Sequence, residues 1–263
     1  MRHSFAVIAL ALAGLAHGAE DRFPRVGDAY YVKRDGHVLW SGGADRRLPP
    51  ASLAKMMTAL VALERGNLEA QVQVSAGAAK ASGTRIGLAA GEKLRARDLL
   101  AATVVRSAND ACRALAEHLG KTVGNFVAMM NSRAGSLGLA DTHFVDPCGH
   151  DRPGQFSTAA DLARLAEQLM QQPEYMRLAR TPQMSISADS GRTFAFRNTN
   201  ALLGRYAGAI GLKTGYTERA GNCLVALAEK QGVRVLVVLL NAPNRWWNAV
   251  GLLDRAFEAE LPR

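Results

Sequence analysis

Ser52 and Lys55 stand three residues apart, and their side chains are of the types used in nucleophilic catalysis. On a helix, residues i and i+3 face the same side, so the hydroxyl and the amine can meet. A serine attacks a carbonyl only after a base takes its proton, and a lysine is such a base when burial or a second cation lowers its pKa. Alone the pair is a weak signal, because a serine at a helix start is more commonly an N-cap.

Two further motifs occur later in the chain, Ser107-Ala108-Asn109 and Lys213-Thr214-Gly215. The chain contains only seven lysines, and two of them fall inside the three motifs. By composition, the three motifs in this order are expected by chance less often than about once in a thousand such sequences. The motifs are therefore interpreted together, as parts of one site.

Each motif predicts a role in acyl transfer. Ser107 and Asn109, in a turn between two helices, are predicted to pass a proton to the leaving group and to hold a substrate amide. Lys213 and Thr214, at a strand end, are predicted to bind a substrate carboxylate, and Lys213 also supplies the second cation near the base. Gly215 is predicted to let the substrate backbone approach closely.

The backbone N–H groups of Ser52 and Tyr216 are predicted to hold the oxyanion. The predicted helix runs from Ser52 to Arg65 and ends at Gly66, so its N-terminal N–H groups point at the reacting carbonyl.

The remaining elements predict an α+β protein with a site between two lobes. Asp35-Gly36 indicates the turn of an N-terminal hairpin, and residues 97–172 are periodic in the manner of four or five helices. Thr158 and Asp161 indicate a capping box at the last long helix. The segments 193–196, 209–213, 224–228 and 233–240 are predicted strands, followed by a helix over 246–260. The terminal strands are predicted to share one antiparallel sheet.

The N-terminal segment, residues 1–19, is predicted to be a signal peptide, because Met1-Arg2-His3 precedes a short apolar run and small residues near Ala19. Residues 20–263 are then one catalytic domain that is periplasmic or secreted, with no second hydrophobic span. The net charge of +9 includes no block of more than two consecutive basic residues, which disfavours a nucleic-acid partner. An anionic wall polymer or membrane surface fits this charge better, and a basic surface without specific meaning fits it equally well.

The cysteines Cys112, Cys148 and Cys223 are too few for a disulfide framework, although one pair could oxidise outside the cytoplasm. Cys112 and Cys223 lie in apolar runs, which favours buried, inert thiols.

His143, Asp146 and His150 are of the types that bind metals, and they lie close together in the chain. Because their spacing matches no zinc motif, a solvated loop is predicted there, with no metal and no organic cofactor. Near the C-terminus, Trp246-Trp247 fits core packing at least as well as a substrate groove, and Arg245 is a weak candidate for holding a substrate carboxylate.

Beyond the three motifs, the sequence resembles the serine D-alanyl-D-alanine carboxypeptidases, the low-molecular-mass penicillin-binding proteins. The resemblance covers nearly all of the mature chain and rests on residues 50–59, 107–111, 130–131, 137–139, 142–144, 211–217 and 220–221. It implies a penicillin-binding/β-lactamase-like fold, with a five-stranded antiparallel sheet flanked by helices and an all-helical lobe. It also implies an acyl-enzyme on Ser52, peptidoglycan stem peptides as substrates and β-lactams as covalent inhibitors.

Two departures from the family pattern matter. Ala108 replaces a glycine often found in the second motif, and the chain is expected to be a short form without the C-terminal membrane-anchoring domain. Because short members include endopeptidases that cut D-alanyl cross-links, both activities stay open.

Two rival functions are disfavoured by particular residues. A class A β-lactamase needs a Glu-x-x-Leu-Asn signature, which Glu167-Gln168-Leu169-Met170 does not match. A non-catalytic wall-binding protein is disfavoured by the intact motif residues.

Overall fold

Residues 22–260 are described by the computed structural model, so the predicted signal peptide lies outside them. The strands within this range are β1 (Ala29–Arg34), β2 (His37–Gly42), β3 (Gln71–Gln73), β4 (Lys93–Arg95), β5 (Gln183–Ser187), β6 (Thr193–Arg197), β7 (Ala209–Thr217), β8 (Gly221–Lys230) and β9 (Val233–Leu240). Five of them form one antiparallel sheet in the order β2-β1-β9-β8-β7. The predictions of an N-terminal hairpin and of a sheet shared by both ends of the chain are confirmed.

The helices of the described range are α1 (Lys55–Arg65), α2 (Ala76–Ala79), α3 (Ala96–Ala101), α4 (Asn109–Gly120), α5 (Val123–Ser136), α6 (Ala159–Met170), α7 (Pro173–Ala179) and α8 (Arg245–Glu258). A 3₁₀ turn, Ala51–Ala54, precedes α1, and a π-helical segment, Ala102–Arg106, joins α3 to α4. At α6 the hydroxyl of Thr158 accepts the backbone N–H of Asp161 at 3.0 Å, which is the N-cap half of the predicted capping box, whereas the Asp161 carboxylate accepts from Asp141 and Thr142. Between residues 22 and 260, no helix is long and apolar enough to cross a membrane.

The sheet is covered on both faces, as the near-continuous apolar runs of β8 and β9 predict. Successive residues alternate between the faces, since Val225 and Leu227 pack with the helical lobe while Leu224 and Ala226 pack with α8. Helix α8 packs on one face of the sheet and α1 packs on the other, so the layers are helix, sheet and helix.

The strand predicted over 193–196 is confirmed as β6, which pairs with β5 in a hairpin separate from the five-stranded sheet. One strand prediction needs correction. The strand predicted to end at Lys213 continues as β7 to Thr217, so the third motif lies inside a strand. The apolar pattern stops near Lys213, whereas pairing with β8 continues from Thr214 opposite Leu224 to Thr217 opposite Gly221.

Candidate active site

Ser52 lies in the 3₁₀ turn immediately before α1, with two neighbouring segments packed against its backbone. Gly149 has a positive φ of 86°, and a Cβ there would lie 2.0 Å from the Ala51 carbonyl oxygen. A Cβ on Gly215 would lie 3.0 Å from the Cβ of Ala51 and 3.1 Å from the Ser52 nitrogen. Both glycines therefore allow close packing around the Ser52 turn, and the closest neighbour of Gly215 is this turn.

Lys55 is buried, with 1% of its surface exposed. Its Nζ lies 2.9 Å from Ser52 Oγ and 2.7 Å from Asn109 Oδ1, and it also contacts the carbonyl oxygen of Cys148. The structure thus brings together the first and second motifs, and it adds the Cys148 loop, which the motifs did not reveal.

Burial lowers the pKa of Lys55 from its ordinary 10.5 to about 7, and the negative charge of Asp146 opposes this shift. The amine is therefore neutral in a large share of molecules near neutral pH. Burial is the main cause of the lowering.

The three contacts of Lys55 Nζ match the needs of a neutral amine. Asn109 Oδ1 and the Cys148 carbonyl can only accept hydrogen bonds, so they take the two N–H groups. A protonated amine donates its third N–H to Ser52 Oγ, whereas a neutral amine has a lone pair there that accepts the Ser52 hydroxyl proton. This arrangement suits general-base activation of Ser52.

Lys213 is also buried, at 2% exposure, and its Nζ donates to Ser107 Oγ at 2.8 Å and to the Thr214 carbonyl at 2.9 Å. Burial lowers the pKa of Lys213 well below its usual value, and the positive charges of Lys55 and Arg245 add to this effect. The hydroxyl of Thr214 lies 2.6 Å from that of Thr199, a residue that no sequence motif indicated.

The second motif keeps both functional side chains in place despite the alanine at its centre. Ser107 takes a left-handed conformation, φ 60°, at the end of the π-helical segment, and Asn109 begins α4. Ala108 is buried and its N–H donates to the Ala102 carbonyl at 3.1 Å. Ser107 thus contacts the third motif while Asn109 contacts Lys55.

Tyr216, the last predicted site residue, comes directly after Gly215 on β7 opposite Asn222, and its side chain is 61% exposed. Its backbone therefore lies next to the glycine that packs on the Ser52 turn, while its ring projects to solvent.

Arg245 differs from its predicted role. Its Nη1 donates to the backbone carbonyls of Gly215 at 2.7 Å and Cys223 at 3.3 Å, so this nitrogen braces β7 and β8. Trp247 is 79% exposed, so it is not part of the core, whereas the ring of Trp246 stacks 4.7 Å from the Arg245 guanidinium.

A disulfide joins Cys112 of α4 to Cys148, with 5.9 Å between their Cα atoms. The expectation that Cys112 is an inert thiol is wrong, whereas Cys223 is a free, buried thiol. The two cysteines are 36 residues apart in sequence, and only the fold reveals their proximity. The bond ties the helix that begins with Asn109 to the loop whose carbonyl contacts Lys55.

Reduction of this disulfide is expected to lower the free energy of unfolding by roughly 3 to 4 kcal/mol, because it releases a closed loop of 36 residues in the unfolded chain. That corresponds to a fall of about 6 to 16 °C in melting temperature for a protein of this size. Calorimetry with and without a phosphine reductant measures it. The double variant Cys112→Ala/Cys148→Ala should be insensitive to the reductant and Cys223→Ala as sensitive as the parent. Equal melting temperatures of the parent in both buffers would contradict the prediction.

The loop that carries Cys148 is organised by Asp146. Its Oδ1 accepts the backbone N–H groups of Cys148 at 2.8 Å and His150 at 3.1 Å, and it lies 3.1 Å from the ring Nδ1 of His150. Burial alone would raise the pKa of Asp146, but the hydrogen bond and charge of His150 outweigh it and lower the pKa to about 2. The prediction of a solvated loop is wrong for these two side chains, which are 16% and 27% exposed.

His143 is separate from this pair, since it is exposed and its Nδ1 faces the Gly154 carbonyl at 3.0 Å. Across residues 22–260 there is no group of three or more His, Cys, Asp or Glu side chains suited to a metal. Glu167, the nearest match to a lactamase glutamate, lies on α6 and binds Lys33 of β1.

Comparison with known proteins supports the family resemblance of the three motifs. The sequence profile of the D-alanyl-D-alanine carboxypeptidase family matches residues 31–244. The chain belongs to this family. It is 35% identical to D-alanyl-D-alanine carboxypeptidase DacF of Bacillus subtilis over 252 residues, which are 92% of this chain and 63% of that protein. It is 33% identical to a D-alanyl-D-alanine endopeptidase of Pseudomonas aeruginosa, over 80% of this chain and 69% of that protein.

Solved structures extend the likeness to the fold. The Streptomyces K15 DD-transpeptidase superposes with a TM-score of 0.84 at 29% identity, covering 89% of this chain and 98% of that one. Penicillin-binding protein D2 of Listeria monocytogenes, in its ampicillin-bound form, gives a TM-score of 0.77 at 30% identity, over 88% of this chain and 97% of that one. The predicted penicillin-binding fold is confirmed.

Proposed function

We propose that the chain is a serine DD-peptidase that removes the terminal D-alanine from peptidoglycan stem peptides. The observation that carries the proposal is the buried Lys55 amine, whose Nζ lies 2.9 Å from Ser52 Oγ and also contacts Asn109 Oδ1 and the Cys148 carbonyl. Lys55 takes the proton of Ser52 as Oγ attacks the carbonyl carbon of the penultimate D-alanine. The bond to the terminal D-alanine nitrogen breaks, and water then hydrolyses the ester and restores Ser52.

The other motif residues complete the reaction. Ser107, which accepts a hydrogen bond from Lys213, relays to the leaving amine the proton that Lys55 took from Ser52. Lys213 and Thr214 hold the terminal carboxylate, and Asn109 holds a substrate amide. The oxyanion lies between the N–H groups of Ser52 and Tyr216, beside the close contact of Gly215 with the Ser52 turn.

The same chemistry makes β-lactams covalent inhibitors, because their strained amide acylates Ser52 in place of the peptide. The likeness to a penicillin-binding protein with bound ampicillin supports this part of the proposal. The carboxypeptidase family also supports action outside the cytoplasm, where peptidoglycan lies, in agreement with the signal peptide predicted for residues 1–19.

An endopeptidase that cuts D-alanyl cross-links is the second candidate, because one relative carries that name. Both activities attack a carbonyl of D-alanine, and they differ in the leaving group on the nitrogen side of the scissile bond. The geometry of Ser52 and Lys55 is the same for each.

Defined muropeptides distinguish these activities. Purified protein is incubated with a monomeric pentapeptide and with a cross-linked dimer, and the products are weighed by mass spectrometry. A carboxypeptidase releases one D-alanine from the monomer and leaves the dimer intact, whereas an endopeptidase converts dimers to monomers. Failure to change either substrate, with no adduct of a fluorescent penicillin, would overturn the proposal and favour a non-catalytic wall-binding protein.

A further inference from the structure

A chain of polar contacts runs behind the nucleophile, from Asp146 through His150 and Asn109 to Lys55. Asp146 Oδ1 lies 3.1 Å from His150 Nδ1, and His150 Nε2 lies 3.1 Å from Asn109 Nδ2. Asn109 Oδ1 in turn lies 2.7 Å from Lys55 Nζ. The mechanism proposed above uses Asn109 and Lys55 but gives no role to the histidine.

The protonation of His150 decides whether this chain is satisfied. An ionised carboxylate only accepts, so Nδ1 carries the hydrogen that points to Asp146. In the neutral ring Nε2 then has a lone pair, which accepts the second N–H of the Asn109 amide. The first N–H of that amide donates to the Ser82 carbonyl at 2.6 Å, so both amide hydrogens are used.

Protonation of the ring reverses the contact. Nε2 then carries a hydrogen, so it can no longer accept the Asn109 N–H. The Ser82 carbonyl, 3.3 Å from Nε2, becomes the acceptor and is shared with the amide. Asn109 then loses one of the two acceptors of its amide hydrogens, and the Oδ1 of the same amide contacts the Lys55 amine.

We propose that neutral His150 is a positioning residue that orients the Asn109 amide against Lys55, and that protonation of His150 slows acylation of Ser52. This inference rests on the proposed function, because acylation is its readout.

The surroundings of His150 favour its protonated form. The hydrogen bond from His150 to Asp146 raises the pKa of His150 above its usual 6.5, and the charge of Asp146 adds to this, while burial and the charge of Lys55 oppose it. The groups that face the ring are Asp146 in its own loop, Ser82, Asn109 of α4 and, through its charge, Lys55 of α1. A polar cleft of about 370 Å³ beside the ring is lined also by Lys80, Arg113, Asp151 and Arg152.

Two groups, His150 and Lys55, must then be neutral for fast acylation. Below the pKa values of both, the rate should fall about a hundredfold per pH unit, whereas a single group gives about tenfold. In His150→Gln, which does not titrate, only Lys55 remains, and the acid limb should become about tenfold per unit. At pH above 8 the variant should be slower by roughly 3- to 10-fold, because glutamine holds Asn109 less well.

The test is the second-order rate constant for labelling by a fluorescent penicillin, measured from pH 4.5 to 9 on the parent, His150→Gln and the control His143→Gln. His143 lies outside the site, so its variant should retain the parent profile. The inference would be overturned if the acid limb of the parent had the slope of a single titrating group, or if His150→Gln kept the slope of two groups. A parent that is not acylated at any pH would instead overturn the proposed function.

A second measurement does not depend on the folding of His150→Gln. In the parent, NMR titration should show one histidine ring signal whose pKa equals that of one of the two groups that titrate in the acid limb of the rate profile. Asp146→Asn should move that pKa to lower pH, because it removes the negative charge beside the ring. The absence of any histidine signal that tracks the kinetic limb would contradict the role of His150.

Discussion

Ser52→Ala is expected to abolish covalent labelling by penicillin and release of D-alanine. Alanine has no atom that can attack the carbonyl, so no acyl-enzyme forms, and the loss should reach the detection limit of the assay. The fold should be retained, because Oγ of Ser52 contacts only Lys55 at 2.9 Å and the Cys148 carbonyl at 3.5 Å within the described residues. Mass spectrometry of the intact protein after incubation with a penicillin measures the adduct.

The position of the adduct is a sharper measurement than its presence. Trypsin cuts after Arg47 and Lys55, so the labelled peptide of the parent should be residues 48–55, in which Ser52 is the only serine. Ser187→Ala, on the exposed strand β5, serves as the control and should be labelled like the parent. A label on another peptide, or a persistent adduct in Ser52→Ala, would show that the nucleophile has been assigned wrongly.

The motif residues could be found from the sequence because their chemistry is encoded locally. Ser52 and Lys55 are brought together by one helical turn, and Ser107 and Asn109 by one tight turn, so their spacing carries the information. The contact of Lys213 with Ser107 is not encoded by local spacing and was not predicted, since 106 residues separate them.

The loop around Asp146 shows where sequence reasoning fails. Neither the carbonyl of Cys148 nor the ring of His150 belongs to a recognised motif, because a backbone oxygen has no sequence signal and a lone histidine is more commonly solvated. The disulfide to Cys112 could not be predicted for a related reason, since spacing alone does not determine which of three cysteines pair. Each of these contacts depends on long-range packing of the loop against α1 and α4.

The fold is predicted best where hydrophobic patterns are strong. Residues 224–228 and 233–240 have the pattern of buried strands and lie in β8 and β9. The prediction for β7 is too short, because its last residues, from Thr214 to Thr217, are polar or small and are held by pairing with β8. The hairpin of β5 and β6 lies apart from the main sheet, a matter of tertiary packing that alternation within a strand does not reveal.

Lys55→Arg is expected to lower the rate constant of acylation by about 10²- to 10⁴-fold, the usual contribution of a general base. Arginine preserves the positive charge and hydrogen-bond donors, but it is not deprotonated in proteins, so it offers no lone pair to Ser52. Raising the pH should not restore the rate. In the parent, by contrast, the rate should rise as pH passes through about 7, because burial lowers the pKa of Lys55 to that value and the neutral form is reactive. Stopped-flow labelling with a fluorescent penicillin measures both profiles.

Two matched substitutions separate the loss of a base from the effect of an arginine side chain. Lys93→Arg, at an exposed position of β4, should leave the rate unchanged. Lys213→Arg should lose less than Lys55→Arg, because Lys213 is proposed to hold Ser107 and the substrate carboxylate by donating hydrogen bonds, and arginine remains a donor. An equal loss in both site variants would indicate that bulk in the buried cleft, and not deprotonation of Lys55, limits the reaction. A rate that recovers at high pH in Lys55→Arg would show that another group acts as the base.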